Sequence, residues 1–184
     1  MSSPDPIELT DLAKRSMAMQ DYGRAPQIDG VAVVDIKRFI DDGGSFQELV
    51  RLDRGVAAAM PGFECRQVNY SEMDPGVIKA FHIHRRQTDV WFVPPGDKML
   101  VVLLDVRAGS KTANTQMRLV LGDGHSRLLR IPPGVAHGLK NLAPIRGRVI
   151  YLVDFQFSPD PDVTEEGRLP WDFAGAHVWD VTRG

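Results

Sequence analysis

A single cysteine, Cys65, stands among the 184 residues. No internal disulfide is possible, and a thiolate-rich metal centre is excluded. An excess of one charge is also lacking: 22 basic and 24 acidic residues are interspersed, for a net charge of −2. No basic block of the kind that binds nucleic acid is present. No apolar run approaches the roughly 18 residues that a membrane span needs. The N-terminus, Met1-Ser-Ser-Pro-Asp-Pro6, has no apolar signal core, so a cytoplasmic protein is the expectation. Thirteen prolines and seventeen glycines punctuate the chain and argue for many turns instead of long helices. The 43% hydrophobic and 25% charged content is that of an ordinary globular protein, and the length suits one domain with a proper core.

Residues 7–20 have mixed helical periodicity and read as a short helix or a loosely packed arm. From residue 30 the character changes to β. Residues 30–39 read as a strand, Asp41-Asp-Gly-Gly44 as a turn and residues 45–52 as the return strand. Further strands are expected at 63–70, 78–84, 90–93, 99–105, 116–121, 126–131 and 148–157. Asp74-Pro-Gly, Pro94-Pro-Gly, Gly122-Asp-Gly and Pro132-Pro-Gly separate them. Short strands with such regular punctuation predict an all-β sandwich or barrel of the jelly-roll kind. The expected organisation is one domain: an arm over 1–29, a barrel over 30–157 and an irregular extension over 158–184.

The most informative stretch runs from Gly76 to Gly96, with His82-Ile-His84 followed by Asp89. In a strand, side chains two apart share a face, so His82 and His84 point into one cavity. Lys79 has the opposite parity to His82 and needs a bulge to reach that cavity. A second segment, Ile131-Pro-Pro-Gly134-Val-Ala-His137-Gly-Leu-Lys-Asn141, supplies another histidine. Three imidazoles and a carboxylate (His82, His84, Asp89, His137) suit Zn, Fe, Ni or Mn by ligand type. The same residues also suit proton transfer, or simple hydrogen bonding inside a barrel.

Together the two segments resemble the paired motifs of the cupin superfamily, a conical jelly-roll β-barrel. The first keeps the cupin spacing with Asp89 in place of the usual glutamate; the second keeps Pro132, Gly134, His137 and Asn141, with Ser126 where a glycine is usual. A narrower resemblance covers nearly the whole chain. It is to the dTDP-4-dehydrorhamnose 3,5-epimerase family, dimeric cupins acting on nucleotide 4-keto sugars without metal. The matching pieces occur in order: Asp41-Asp-Gly-Gly-Ser-Phe46-Gln-Glu48, Gln67-Val-Asn69-Tyr-Ser71, Gly76-Val-Ile-Lys79-Ala-Phe-His82, Asp105-Val-Arg107-Ala-Gly-Ser110-Lys-Thr112, residues 131–138, Tyr151, and Glu165-Glu-Gly167-Arg-Leu-Pro-Trp171-Asp172.

The resemblance implies a carbohydrate isomerase of nucleotide-sugar biosynthesis, with no cofactor and a homodimer whose N-terminal strands exchange. It implies His82 as general base, Asp172 as its orienting partner and Tyr151 as acid. It implies a substrate site lined by Phe46, Glu48, Gln67, Asn69, Lys79, His84, Asp89 and His137. The departures are specific. Lys79 stands where the family has arginine, Asp89 where it has lysine, His84 where it has glutamine and Gly43 where its first hairpin has arginine. A metal-dependent cupin using His82, His84, Asp89 and His137 is the alternative, and it excludes His82 as a free base because a bound metal occupies its lone pair. A non-catalytic sugar-binding cupin is the second alternative. Trp171 and Trp179 are expected to anchor the tail, and His125 and His177 to lie on the surface.

Overall fold

A computed structural model describes residues 5–19, 23, 25–160 and 162–181. Parts of the predicted arm (1–4, 20–22 and 24) and of the predicted extension (161 and 182–184) lie outside those residues. The chain opens with α1 (Asp11–Ser16), capped by Thr10, whose hydroxyl accepts from the Ala13 amide; no residue of this helix is buried. The strands follow as β1 (Ala32–Asp35), β2 (Arg38–Asp41), β3 (Gly44–Gln47), β4 (Leu52–Asp53), β5 (Val56–Ala57), β6 (Gln67–Met73), β7 (Ile78–Ile83), β8 (Asp89–Phe92), β9 (Lys98–Asp105), β10 (Gln116–Gly122), β11 (Arg127–Ile131), β12 (Val135–Asn141), β13 (Gly147–Val153) and β14 (Gly167–Arg168). A short 3₁₀ turn covers Ala176–Trp179. Among the described residues no helix is long and apolar enough to cross a membrane.

Two antiparallel five-stranded sheets carry the fold, in the orders β1-β11-β8-β13-β6 and β10-β9-β12-β7-β14. Facing sheets of this topology make the expected cupin jelly roll. Each strand divides its side chains between two apolar environments with period two. On β9, Met99, Val101 and Leu103 enter the space between the sheets, while Leu100 and Val102 pack under the C-terminal tail with Phe81, Val178 and Trp179. On β8, Trp91 joins the interior, and Val90 and Phe92 pack outward against Ala57, Met60 and Phe63. Burial on both faces is why these strands read as unbroken apolar runs instead of alternating ones.

The differences from expectation have local causes. The predicted strand over residues 30–39 is broken: β1 pairs with β11 in the barrel, whereas β2 leaves it to pair with β3. The predicted return strand ends at Gln47, and a two-residue hairpin of β4 and β5 follows it. Strand β12, not predicted as a strand, is central to its sheet, because its small residues Ala136 and Gly138 admit close neighbours on both sides. In the tail, Trp179 is buried against Phe81, with ring centroids 5.3 Å apart, and its indole N–H donates to the Trp171 carbonyl. Trp171 itself is exposed, so it offers its backbone and not its ring as an anchor. His125 and His177 are at the surface as expected.

The Asp105–Thr112 motif proves to be structural. Asp105 is fully buried and accepts from Arg107 Nε at 2.8 Å, Ser110 Oγ at 2.5 Å and Thr112 Oγ1 at 2.7 Å. The hydrogen bond from Arg107 leads the effects that hold its carboxyl far below the usual range, with Ser110 and Thr112 adding to it against the opposing effect of burial. Asp105→Asn should cost about 3 kcal/mol, because it leaves a guanidinium uncompensated. In urea titrations the gap between wild type and variant should be full above roughly pH 4 and shrink as pH falls below it, since the depressed folded pKa favours the ionised state only there.

Candidate active site

Between the sheets lies a cavity of about 610 Å³, lined among others by Lys79, His82, His84, Asp89, His137, Tyr151, Glu166 and Arg168. Its two walls come from different sheets. His82 sits on β7 and His137 on β12, paired directly across the ladder. Tyr151 on β13 is paired with Trp91 on β8 in the opposite sheet.

A bulge sets the phase of β7. His137 pairs with His82 and Leu139 with Lys79, so Ala80 and Phe81 together oppose Gly138. That extra residue returns Lys79 to the same face as His82, and both line the cavity. Phe81 turns outward into the tail cluster. Gly138 is required here, because a Cβ at that position would collide with the Ala80 side chain.

The C-terminal tail completes the wall. Strand β14 pairs with β7, placing Gly167 opposite Ile83 and Arg168 opposite His82. A Cβ on Gly167 would lie 2.9 Å from the Ile83 side chain, so this close approach also needs glycine. Glu165 pins the segment by accepting from the Arg85 and Arg86 amides and from Arg86 Nε. Burial opposes its ionisation, but the bonds from Arg86 outweigh it and its pKa is lowered. The next residue, Glu166, reaches His82 Nδ1 at 2.7 Å.

Glu166 therefore occupies the place expected of Asp172. Asp172 is exposed, does not line the cavity, and offers its backbone carbonyl to the Gly175 amide. The hydrogen bond with His82 is the leading reason that the Glu166 carboxyl is held down at about 2. An ionised carboxylate only accepts, so His82 Nδ1 carries the proton and Nε2 keeps the lone pair. Arg168 donates to the same carboxylate at 3.2 Å.

Three further groups form the cavity floor. Ligand-type atoms of His84, Asp89 and His137 lie within 4.8 Å of one another, and all three residues are buried. His82 is not among them. His84 Nδ1 donates to the Glu165 carbonyl at 2.8 Å and His137 Nδ1 to the Val135 carbonyl at 2.9 Å. Burial pushes the His137 pKa down to about 4, so this ring is neutral at neutral pH. Asp89 accepts from Gln87 Nε2 at 2.7 Å and Trp91 Nε1 at 3.0 Å. Burial, followed by the charges of Asp89 and Glu166, raises the Tyr151 pKa, which keeps the phenol protonated.

The remaining expected residues divide. Lys79 is exposed at the cavity edge, donating to Ser71 Oγ and the Glu72 carbonyl. Gln67 and Asn69 are bonded to each other at 2.7 Å and line an adjoining pocket of about 220 Å³ that shares His84, Gln87, Tyr151, Phe157 and Glu166 with the main cavity. Phe46 and Glu48 line neither pocket. Phe46 is on the β2–β3 hairpin, 66% exposed, and Glu48 pairs with Arg51 in solvent. Residues not singled out from sequence are Glu166, Arg168, Gln87 and Trp91. The available signal was the acid pair ahead of Gly167, whose missing side chain permits the tail to pair with β7.

The family model for dTDP-4-dehydrorhamnose 3,5-epimerase matches residues 25–173. The chain belongs to this family. Among curated relatives it is 42% identical, over 79% of its length and 91% of theirs, to the spore coat polysaccharide biosynthesis protein SpsL of Bacillus subtilis. The dTDP sugar isomerase of Desulfovibrio desulfuricans superposes with a TM-score of 0.70 at 27% identity, covering 83% of this chain and 91% of that one. The Legionella pneumophila dTDP-6-deoxy-D-glucose-3,5-epimerase, solved with dTDP-4-keto-L-rhamnose, gives 0.63 at 26% identity, covering 72% and 71%. The protein is thus a carbohydrate epimerase of the nucleotide-sugar class. Epimerases of this family act without a cofactor.

The His82–Glu166 bond predicts a titration. In His82→Ala the Glu166 carboxyl should rise from about 2 towards the ordinary glutamate value of roughly 4.3, as followed by carboxyl-carbon NMR. An unchanged value would mean that His82 does not hold this carboxylate.

Proposed function

We propose that the protein is a 3,5-epimerase of a dTDP-like nucleotide 4-keto-6-deoxy sugar, acting by proton abstraction next to the C4 ketone. The observation that carries this reading is a histidine–carboxylate pair on one sheet, His82 with Glu166, facing Tyr151 on the other sheet across the cavity. Inversion at carbon needs a proton removed from one face of the ring and returned to the other. Two walls from different sheets supply those two faces.

His82 is the base. Its Nε2 lone pair takes the proton from the carbon beside the ketone, and the C–H electrons move into an enolate with the charge on the C4 oxygen. Glu166 stabilises the imidazolium that forms and fixes the tautomer. Tyr151 gives its phenolic proton to the opposite face of the same carbon, the enolate electrons return to form the new C–H bond, and the ketone is restored. The proton on His82 then passes to the phenolate through solvent and resets the site. Positioning falls to the remaining residues. Lys79 and Arg168, cationic at the cavity edge, suit a diphosphate, with Lys79 acting as a point charge. Gln67, Asn69 and Phe157 line the adjoining pocket, which suits the nucleoside. His84, Asp89 and His137 contact the sugar from the floor. The enzyme works as one domain in the cytoplasm.

A homodimer is part of the reading. Among the described residues, β2 and β3 form a ladder with each other and with no further strand, yet the hairpin exposes Phe39 (50%), Ile40 (76%) and Phe46 (66%). A projecting apolar hairpin of this kind suits exchange with a second copy. Phe46 and Glu48, outside their own cavity, then reach the partner's.

His82→Asn and Tyr151→Phe should each lower turnover by about 10²–10⁴-fold, the usual worth of a general acid or base. The readout is solvent deuterium entering sugar C3 and C5 of dTDP-4-keto-6-deoxyglucose. Binding should be retained, and wild-type exchange in His82→Asn would remove the base assignment. Glu166→Gln should lower kcat with little change in KM, whereas Asp172→Asn should leave both unchanged. A Phe39→Asp/Phe46→Asp double variant should sediment as a monomer where the wild type sediments as a dimer.

A further inference from the structure

We propose that His84, Asp89 and His137 form a receptor for a primary ammonium group, so that the sugar handled here is an amino sugar whose charged amine seats on the cavity floor. The inference rests on the epimerase reading and names its substrate class. The three residues are only 5%, 3% and 2% exposed, and all line the cavity. Each imidazole donates its Nδ1–H to a backbone carbonyl, at 2.8 and 2.9 Å, so each neutral ring keeps a lone pair on Nε2. His84 Nε2 lies 3.9 Å from Asp89 Oδ1, and His137 Nε2 lies 3.7 Å from Asp89 Oδ2, both beyond a hydrogen bond. His84 Nε2 has a long 3.4 Å contact from the Gln87 amide, whose 2.7 Å bond goes to Asp89. Among the described residues no donor reaches His137 Nε2. Three buried acceptors thus converge on one place in the cavity.

The charge is as uneven as the hydrogen bonding. Asp89 receives one bond on each oxygen, and both donors, Gln87 Nε2 and Trp91 Nε1, are neutral. Among the described residues no lysine or arginine pairs with it. Glu166, the other carboxylate lining the cavity, has His82 at 2.7 Å and Arg168 at 3.2 Å. Lys79 stays at the cavity edge, donating to Ser71 and the Glu72 carbonyl. A buried carboxylate with no cation beside it is unfavourable. A cation carried in by the ligand removes that penalty on binding.

Counting donors selects the group. A sugar hydroxyl brings one hydrogen and no charge, whereas a protonated primary amine brings three hydrogens and a full charge. Acceptors about 2.8–2.9 Å from one nitrogen, along its three N–H directions, stand ~4.6 Å apart. The corresponding atoms here all lie within 4.8 Å of one another, and the two pairs at 3.7 and 3.9 Å need only open slightly. In a nucleotide 4-keto-6-deoxy sugar, C1 carries the diphosphate, C4 is the ketone, C5 carries the ring oxygen and C6 is a methyl. The amine therefore sits on C2 or C3.

Calorimetry on the full-length protein compares probes that lack the ketone and cannot turn over: dTDP, dTDP-6-deoxyglucose, and its analogues with an amine in place of the C2 or the C3 hydroxyl. One of the two amines should bind at least about 100-fold more tightly than dTDP-6-deoxyglucose, the scale of a buried charge-assisted contact. N-acetylation, which removes the charge and two of the three hydrogens, should abolish the gain, and this comparison needs no variant. Asp89→Asn, nearly isosteric, should cut the gain below about tenfold while dTDP still binds as in the wild type. Circular dichroism and thermal melting establish that the variant is folded. Three results would overturn the proposal: equal affinity for the hydroxyl and both amines, as expected if a proton shared among the three side chains already satisfies them; a gain that survives N-acetylation; or a gain undiminished in Asp89→Asn. In each of these dTDP binds and the epimerase reading stands. Absent binding of dTDP itself, with no deuterium exchange into dTDP-4-keto-6-deoxyglucose, would instead remove that reading and this inference with it.

Discussion

The hydrogen bond between Glu166 and His82 is the contact on which the site depends, and the chain reaches it by long-range pairing. Residues 82 and 166 meet because a two-residue strand of the tail adds to the edge of β7. That addition is held on one side by the buried carboxylate of Glu165, clipped to Arg85 and Arg86. On the other side it is held by Trp179, buried against Phe81 on the outer face of the same strand. The apolar anchor and the ionic clip flank one segment, and between them the carboxylate is delivered with little freedom left. Geometry fixed in this way is what a proton transfer requires, since the entropy of alignment is lost on folding and not at each turnover.

The barrel was legible because its punctuation is chemical. Pro-Pro-Gly and Gly-Asp-Gly turns separate strands whose two-residue period is set by burial on both faces, and β8, β9, β10 and β11 fall within a residue of expectation. The cavity histidines followed from the same period. Lys79 shows where period alone fails. Its parity is wrong by one, and the Ala80–Phe81 bulge that corrects it is signalled only by Gly138 on a different strand.

Asp172 failed for a different reason. The tail offers acids at 165, 166 and 172, all able to orient an imidazole. Residue type cannot choose among them, because the choice is made by register against β7. Once Gly167 is seen to lie on Ile83, the preceding residues are placed, and Asp172 falls beyond the Leu169 pairing with Phe81 in the exposed turn that follows. Phe46 and Glu48 mark a similar limit: a hairpin that leaves its own barrel has no place within one chain, and its function is decided by what it meets outside.

The three cavity histidines look alike in sequence and differ in what holds their distal nitrogens. His84 and His137 donate to backbone carbonyls, neutral dipoles that fix a tautomer and add little basicity. His82 donates to an ionised carboxylate, which also stabilises the imidazolium formed when the ring accepts a proton. Burial acts in the same direction. His82 is partly open to solvent, whereas His137 is buried and is held neutral. These contacts single out His82 as the ring proposed for the base. The other two rings spend their Nδ1–H on the backbone and form the floor beside Asp89. The division of labour between base and floor is set by these second contacts and not by the histidines themselves.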